Sequence, residues 1–249
     1  MKKEGKKASA GASRIVRVPM GITNFDKLIE GGFEKNSTNL IVGTSGAGKS
    51  IFAMEFLIGG MKEGEKTLYV TFEEKKNEFY LNMEKFGWNL DDYEQRGLFT
   101  FLEYSPSKVK TMLEEGGGEI ERVINKNKIS RIVIDSITSF ALLFENELTK
   151  REASLALFNI IKKWNCTSLI TLEENPMRQN ATHSEAIEFE SDSVTILYLV
   201  MNKNKRERLI EILKMRGTNH SHNLYKFEVG KKGIEISKEP STAVPNFNQ

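Results

Sequence analysis

Eight residues, Gly43-Thr44-Ser45-Gly46-Ala47-Gly48-Lys49-Ser50, constrain what this chain can fold into more than any other feature. They match G-x-x-x-x-G-K-[ST], the pattern of a phosphate-binding loop, and such a loop works only between a strand and a helix. The glycines let backbone N–H groups converge on phosphate oxygens, where larger residues would obstruct. Lys49 supplies a point charge for the outer phosphates, and the Ser50 hydroxyl is a hard oxygen ligand suited to Mg²⁺. The flanks agree. Asn39-Leu40-Ile41-Val42 is a short apolar run that predicts a strand, and Ile51 to Met61 predicts a helix, whose positive N-terminal end faces the phosphates.

The rest of the chain extends this strand-loop-helix start into an α/β pattern. Strands are predicted at Lys66–Phe72, Leu98–Leu102, Arg131–Asp135 and Thr167–Leu172. Helices are predicted over Lys75–Phe86, from Lys108 with Ser107 as its N-cap, and over Arg151–Trp164, where Leu155, Phe158, Ile161 and Trp164 share an apolar face. Gly116-Gly117-Gly118 must interrupt or bend the second of these. Strands alternating with helices imply a mainly parallel sheet covered on both faces. The last third changes character. Ser193–Met201 and Arg208–Met215 flank the polar turn Asn202-Lys203-Asn204-Lys205, which predicts a hairpin, and Leu224–Val229 with Gly233–Ser237 continue an antiparallel edge. The expected organisation is a basic tail over 1–17, one α/β domain over 18–237 and a loose tail over 238–249.

Hydrolysis requires more than a phosphate cradle. Asp135 ends a buried strand and is placed to hold Mg²⁺ directly or through water. Glu73 and Glu74 end the strand at Lys66–Phe72. Parallel strands present their C-terminal ends together, so this pair opens towards the loop, and one of the two is expected to point inward and activate water. The alternative for the pair is a solvated turn. Lys214 and Arg216, two residues apart, project to one side of a strand end. They read either as phosphate-binding cations or as charges that discourage edge pairing. His220 and His222 lack a third ligand for zinc, and His183 falls in a polar segment, 175–185, expected as a loop.

Composition excludes several classes. Thirty-six basic and 34 acidic residues give a net charge of +2, so no global electrostatic case for nucleic acid exists. No apolar run has the length of a membrane span, and the Lys-rich start carries no apolar signal segment; the expectation is a cytoplasmic protein that contacts no membrane. Cys166 is the single cysteine, which rules out an intrachain disulfide and reads as a buried structural thiol.

Taken in order, the loop, Thr71-Phe72-Glu73-Glu74, Phe86-Gly87-Trp88, Asp135-Ser136 and Lys214-Met215-Arg216-Gly217-Thr218-Asn219-His220 resemble the KaiC family of RecA-like ATPases. Met20-Gly21-Ile22-Thr23-Asn24-Phe25-Asp26 with Gly31-Gly32-Phe33 is similar to that family's start, and the resemblance runs from about Val18 to Ile236. It implies a RecA-like core that assembles into a ring, usually a hexamer, with ATP between subunits. Ser45, Gly46, Ala47, Gly48, Lys49, Ser50 and Ile51 would bind phosphates, and Ser50 and Asp135 would hold Mg²⁺. Glu73 would be the catalytic base, with Glu74 in support. Lys214, Met215, Arg216, Thr218 and His220 would reach the neighbouring subunit's nucleotide, with Lys214 and Arg216 sensing its phosphates. Where the clock-type relatives carry a self-phosphorylated Ser-Thr pair, this chain has Glu188-Phe189, which implies an ATPase without autokinase activity. The function so implied is a slow, nucleotide-driven switch with an unidentified protein partner. A DNA-binding recombinase and an assembly module with negligible turnover are the alternatives.

Overall fold

The computed structural model describes residues 15–116, 118–177 and 184–245. Strand β1 (Arg17–Val18) pairs antiparallel with β2 (Phe33–Glu34) across helix α1 (Thr23–Leu28). The phosphate loop joins β3 (Thr38–Gly43) to α2 (Lys49–Lys62). Next come β4 (Thr67–Thr71), α3 (Lys76–Glu84), α4 (Leu90–Gln95) and β5 (Phe99–Glu103). Helices α5 (Pro106–Glu115) and α6 (Gly118–Asn127) lead into β6 (Arg131–Asp135). Helices α7 (Ile137–Ala141) and α8 (Glu147–Lys163) precede β7 (Thr167–Glu173). After α9 (Ser184–Glu190) the chain finishes with β8 (Ser193–Asn202), β9 (Lys205–Met215), β10 (Tyr225–Gly230) and β11 (Gly233–Pro240).

One sheet has the order β11-β10-β9-β8-β3-β7-β6-β4-β5. From β8 to β5 every pairing is parallel, whereas β9, β10 and β11 are added antiparallel. The expected parallel core with an antiparallel extension is therefore present. Its strands are apolar on both faces because both are covered. Phe52, Phe56 and Leu57 of α2 pack one face with Phe25, Tyr69 and Phe227. Leu157, Phe158 and Ile161 of α8 pack the other with Ile132, Ile170 and Val194. Among the described residues no helix is long and apolar enough to cross a membrane.

Several boundaries differ from the sequence reading, each for a local reason. Helix α5 starts at Pro106 with Ser105 in the N-cap position, rather than at Lys108 after Ser107. Proline's fixed φ and missing N–H suit the first helical position. The helix ends on Gly116, whose left-handed φ of 71° suits a glycine cap. Helix α8 begins at Glu147, four residues before the expected Arg151, because Asn146 and Thr149 form a reciprocal capping box. Ser184 and Glu185 belong to α9 and not to a loop, while His183 lies outside the described residues. The hairpin has a two-residue loop, since Asn202 and Lys205 are themselves paired. Strand β1 includes Arg17, and β11 runs to Pro240, past the boundary expected at 237. The Ser241 N–H continues the pairing onto the Leu224 carbonyl. Cys166 is buried, donates to the Ile129 carbonyl at 3.2 Å, and has its thiol pushed up to about 11 by that burial.

Candidate functional site: a phosphate-loop cleft

The C-terminal ends of β3, β6 and β4 open onto one edge of the sheet, where a cleft of about 410 Å³ lies against the phosphate loop. Two glycines make the loop's path possible. A Cβ on Gly43 would sit 2.5 Å from the Leu197 carbonyl of the adjacent β8. Gly48, at the N-cap of α2, holds φ at 107°, a conformation costly for any residue with a side chain. Ser45, Gly46, Gly48, Lys49, Ser50 and Ile51 all line the cleft, and Ala47 is buried behind them.

Lys49 is buried, and its Nζ donates to the Gly43 and Thr44 carbonyls at 2.9 Å each. Burial pulls its amine below the ordinary range; the charges of Glu173, Asp135 and Glu73 oppose that shift. Glu173, the last residue of β7, approaches Lys49 Nζ to 3.5 Å. It is a site residue that sequence reasoning did not single out. The available signal was positional, a carboxylate at the end of the strand that pairs with β3.

Glu73 and Glu74 both line the cleft, where only one was expected to point inward. The Thr71 hydroxyl accepts the backbone N–H of Glu73 at 3.2 Å and of Glu74 at 3.1 Å. The chain bends there instead of continuing as a strand, so side-chain alternation does not apply. Ser139, at the start of α7, donates its hydroxyl to Glu73 Oε1. Ser136 caps α7 by accepting the Ser139 N–H at 3.2 Å. Glu74 is held above the usual carboxylate range by desolvation, then by the charges of Asp135, Glu73 and Glu78.

Asp135 accepts from two buried side chains, Tyr69 on Oδ2 and Thr171 on Oδ1. Burial, and then the Asp135 charge, push the Tyr69 phenol far above its ordinary range, so its hydroxyl remains a donor. The donors around Ser50 and Asp135 are hydroxyl and carboxylate oxygens, and among the described residues no thiol or imidazole lines the cleft. That chemistry fits a hard divalent cation such as Mg²⁺. Arg208 of β9 completes the rim, donating to the Gly46 carbonyl through Nε at 3.3 Å and Nη2 at 3.1 Å.

The remaining candidates lie elsewhere. Met215 pairs with Ser193, level with Asn39, whereas Gly43 is level with Leu197. Four residues of strand separate the two levels, roughly 13 Å at ~3.3 Å per residue. Lys214 Nζ donates to the carbonyls of Glu188, Phe189 and Ser191, and Arg216 donates to that of Phe189. Met215 is buried. Thr218 accepts from Arg17 at 2.7 Å, and the His220 ring meets the Ser221 carbonyl at 3.0 Å. This segment is at the opposite end of the sheet from its own phosphate loop.

A family model described as "ATPase: KaiC" matches residues 18–241. The chain belongs to the KaiC ATPase family. Its relatives include the circadian clock protein KaiC3 of Synechocystis, 33% identical over 89% of this chain, and the KaiC of Parasynechococcus marenigrum, 34% identical over 90%. These alignments cover 46% and 45% of the two relatives, so the chain spans about half their length. A solved KaiC-like protein from the archaeon Pyrococcus horikoshii superposes with a TM-score of 0.81 at 35% identity, covering 90% of this chain and all of that one. The KaiC assignment carries with it the RecA-like fold and, in general terms, a nucleotide-binding ATPase domain.

Proposed function

We propose that this chain is an Mg²⁺-dependent ATPase that hydrolyses ATP at the subunit interfaces of a cytoplasmic ring, a homohexamer, and that the ring acts as a nucleotide-driven switch on a protein partner. The observation that carries this reading is the convergence of Lys49, Ser50, Glu73 and Asp135 on one cleft while Lys214 and Arg216 sit at the far end of the same sheet. The loop amides and Lys49 would bind and orient the phosphates. Ser50 and Asp135 would hold Mg²⁺, which supplies charge neutralisation on the phosphate oxygens. Glu73, held by Ser139, would orient the attacking water and take its proton, with Glu74 beside it. Lys214 and Arg216 would stabilise charge on the neighbouring subunit's nucleotide, with Met215, Thr218 and His220 forming the rest of that contact. Glu188 and Phe189 have no hydroxyl to phosphorylate, so autokinase activity is not part of the proposal. Near-neutral charge supports a ring without a nucleic-acid substrate.

Mixing tests the division of labour. Arg216→Ala and Lys49→Ala proteins should each be inactive, yet mixed rings should recover part of the ATPase rate, because some interfaces pair an intact loop with an intact Arg216. Mixed rings verified by native mass spectrometry that stay inactive would count against action between subunits.

A further inference from the structure

Tyr69 is a core aromatic whose hydroxyl the packing does not require. Its ring lies nearly parallel to that of Phe101, centroids 5.7 Å apart, and 4.5 Å from that of Phe79. Neither neighbour carries a polar atom on its ring, and burying a hydroxyl costs free energy unless it is satisfied. The Tyr69 hydroxyl reaches one of the two residues that would hold the cation: it donates to Oδ2 of Asp135, which lines the same cleft as Ser50. Thr171 engages the other Asp135 oxygen. Each carboxylate oxygen has two lone pairs, so each keeps one for a cation or its water after these bonds form. The two donors fix the rotation of the carboxylate.

We propose that Tyr69 is a positioning residue of the cation site, its hydroxyl orienting the Asp135 carboxylate, with Thr171 clamping the second oxygen. This rests on the Mg²⁺-ATPase reading above. Partners that orient metal ligands typically contribute ten- to a hundredfold in metal affinity. An alternative direction is available, since losing a hydrogen-bond donor leaves the carboxylate more basic and would tighten binding. The double clamp favours orientation as the larger effect.

Mn²⁺ binding in the presence of ADP, followed by electron paramagnetic resonance on the full chain, tests this without reference to turnover. Tyr69→Phe should weaken Mn²⁺ about tenfold, leave metal-free ADP binding unchanged, and move the melting temperature by no more than about 3 °C. Thr171→Val should weaken Mn²⁺ in the same direction, and supplies the answer if Tyr69→Phe does not fold. Mn²⁺ affinity within twofold of wild type, or tighter, in a folded variant overturns the role of Tyr69 and its clamp alone. Wild-type protein that takes up no Mn²⁺ with nucleotide overturns the ATPase reading beneath it.

Discussion

Strand β6, which carries Asp135, is tied to the turn after helix α2, which carries Ser50, by an ion pair whose cation is buried, and breaking it has a calculable cost. Arg131, the first residue of β6, is 1% exposed. Its guanidinium donates to both Glu65 oxygens at 2.8 Å, to the Pro19 carbonyl at 2.6 Å and to the Phe56 carbonyl of α2 at 3.0 Å. It also lies 5.0 Å from the centre of the Phe56 ring. Among the described residues Glu65 is the only carboxylate bonded to it, so Glu65→Ala leaves the cation with two carbonyls. Removing one partner of a buried pair costs about 3–5 kcal/mol. The Glu65 side chain is itself 33% exposed, so water can partly replace it, and the low end, about 3 kcal/mol, is expected. For a chain of this size that lowers the melting temperature by roughly 6–12 °C. The effect depends on pH with a defined sign. The Arg131 hydrogen bonds hold the Glu65 carboxyl below its usual range against the opposing pull of desolvation. Its stabilisation is complete above the unfolded value of about 4.3 and is lost as pH falls through the lower folded value. Scanning calorimetry of wild type and Glu65→Ala should therefore show the gap at pH 7 and a narrowing gap below about pH 4. A difference under 2 °C at pH 7, or one that does not shrink in acid, would refute the reasoning.

Glu73→Gln keeps the acceptor for Ser139 but removes the proposed base, so ATP turnover should fall at least ~10²-fold while nucleotide binding at the loop survives; single-turnover kinetics with a binding titration checks both. Glu55 of α2 accepts the Ile234 N–H at 2.9 Å, and burial raises its carboxyl to about 7. A raised acid is protonated in the folded chain where the unfolded chain has lost its proton, so stability falls as pH rises from about 4.5 to 7. Glu55→Gln should be neutral at pH 4.5 and raise the melting temperature relative to wild type at pH 8; an unchanged difference across that range would contradict the assignment.

How much of this was legible in the sequence depends on how local each cause is. Strand β6 was readable to the residue, because Arg131–Asp135 is an unbroken apolar run with a charge at each end. The loop was readable because backbone geometry dictates its glycines. Strand alternation let only one of Glu73 and Glu74 point inward, and it does not apply because a side-chain hydroxyl, that of Thr71, ends the strand there. The start of α8 was missed because a capping box of Asn and Thr is a weaker signal than the apolar face that follows it. Glu173, Thr171 and Tyr69 carry no motif, and they matter only through strand order, which puts β7 and β4 on either side of β6. Arg208 could not be placed at all from sequence. Its position beside Gly46 depends on the two-residue turn that pairs Asn202 with Lys205 and so sets Arg208 opposite Leu199, and a one-residue change in that turn would move it to the opposite face.

The same strand that brings Arg208 to the loop explains why the second half of the candidate site is remote. Strand β9 runs antiparallel to β8, which is parallel to β3. It passes the loop end first, with Arg208 paired to Leu199, and reaches Lys214 opposite Val194. Those six residues of strand cover roughly 20 Å. No side-chain rotation brings Lys214 or Arg216 back to the Gly46 end. Their present partners, the carbonyls at and just past the end of α9 and, for Arg216, the Asp192 carboxylate at 3.8 Å, are what the cations would exchange for phosphate oxygens in a neighbouring cleft. In the proposed ring β9 and the residue after it would thus serve two nucleotides, the chain's own through Arg208 and the next through Lys214 and Arg216.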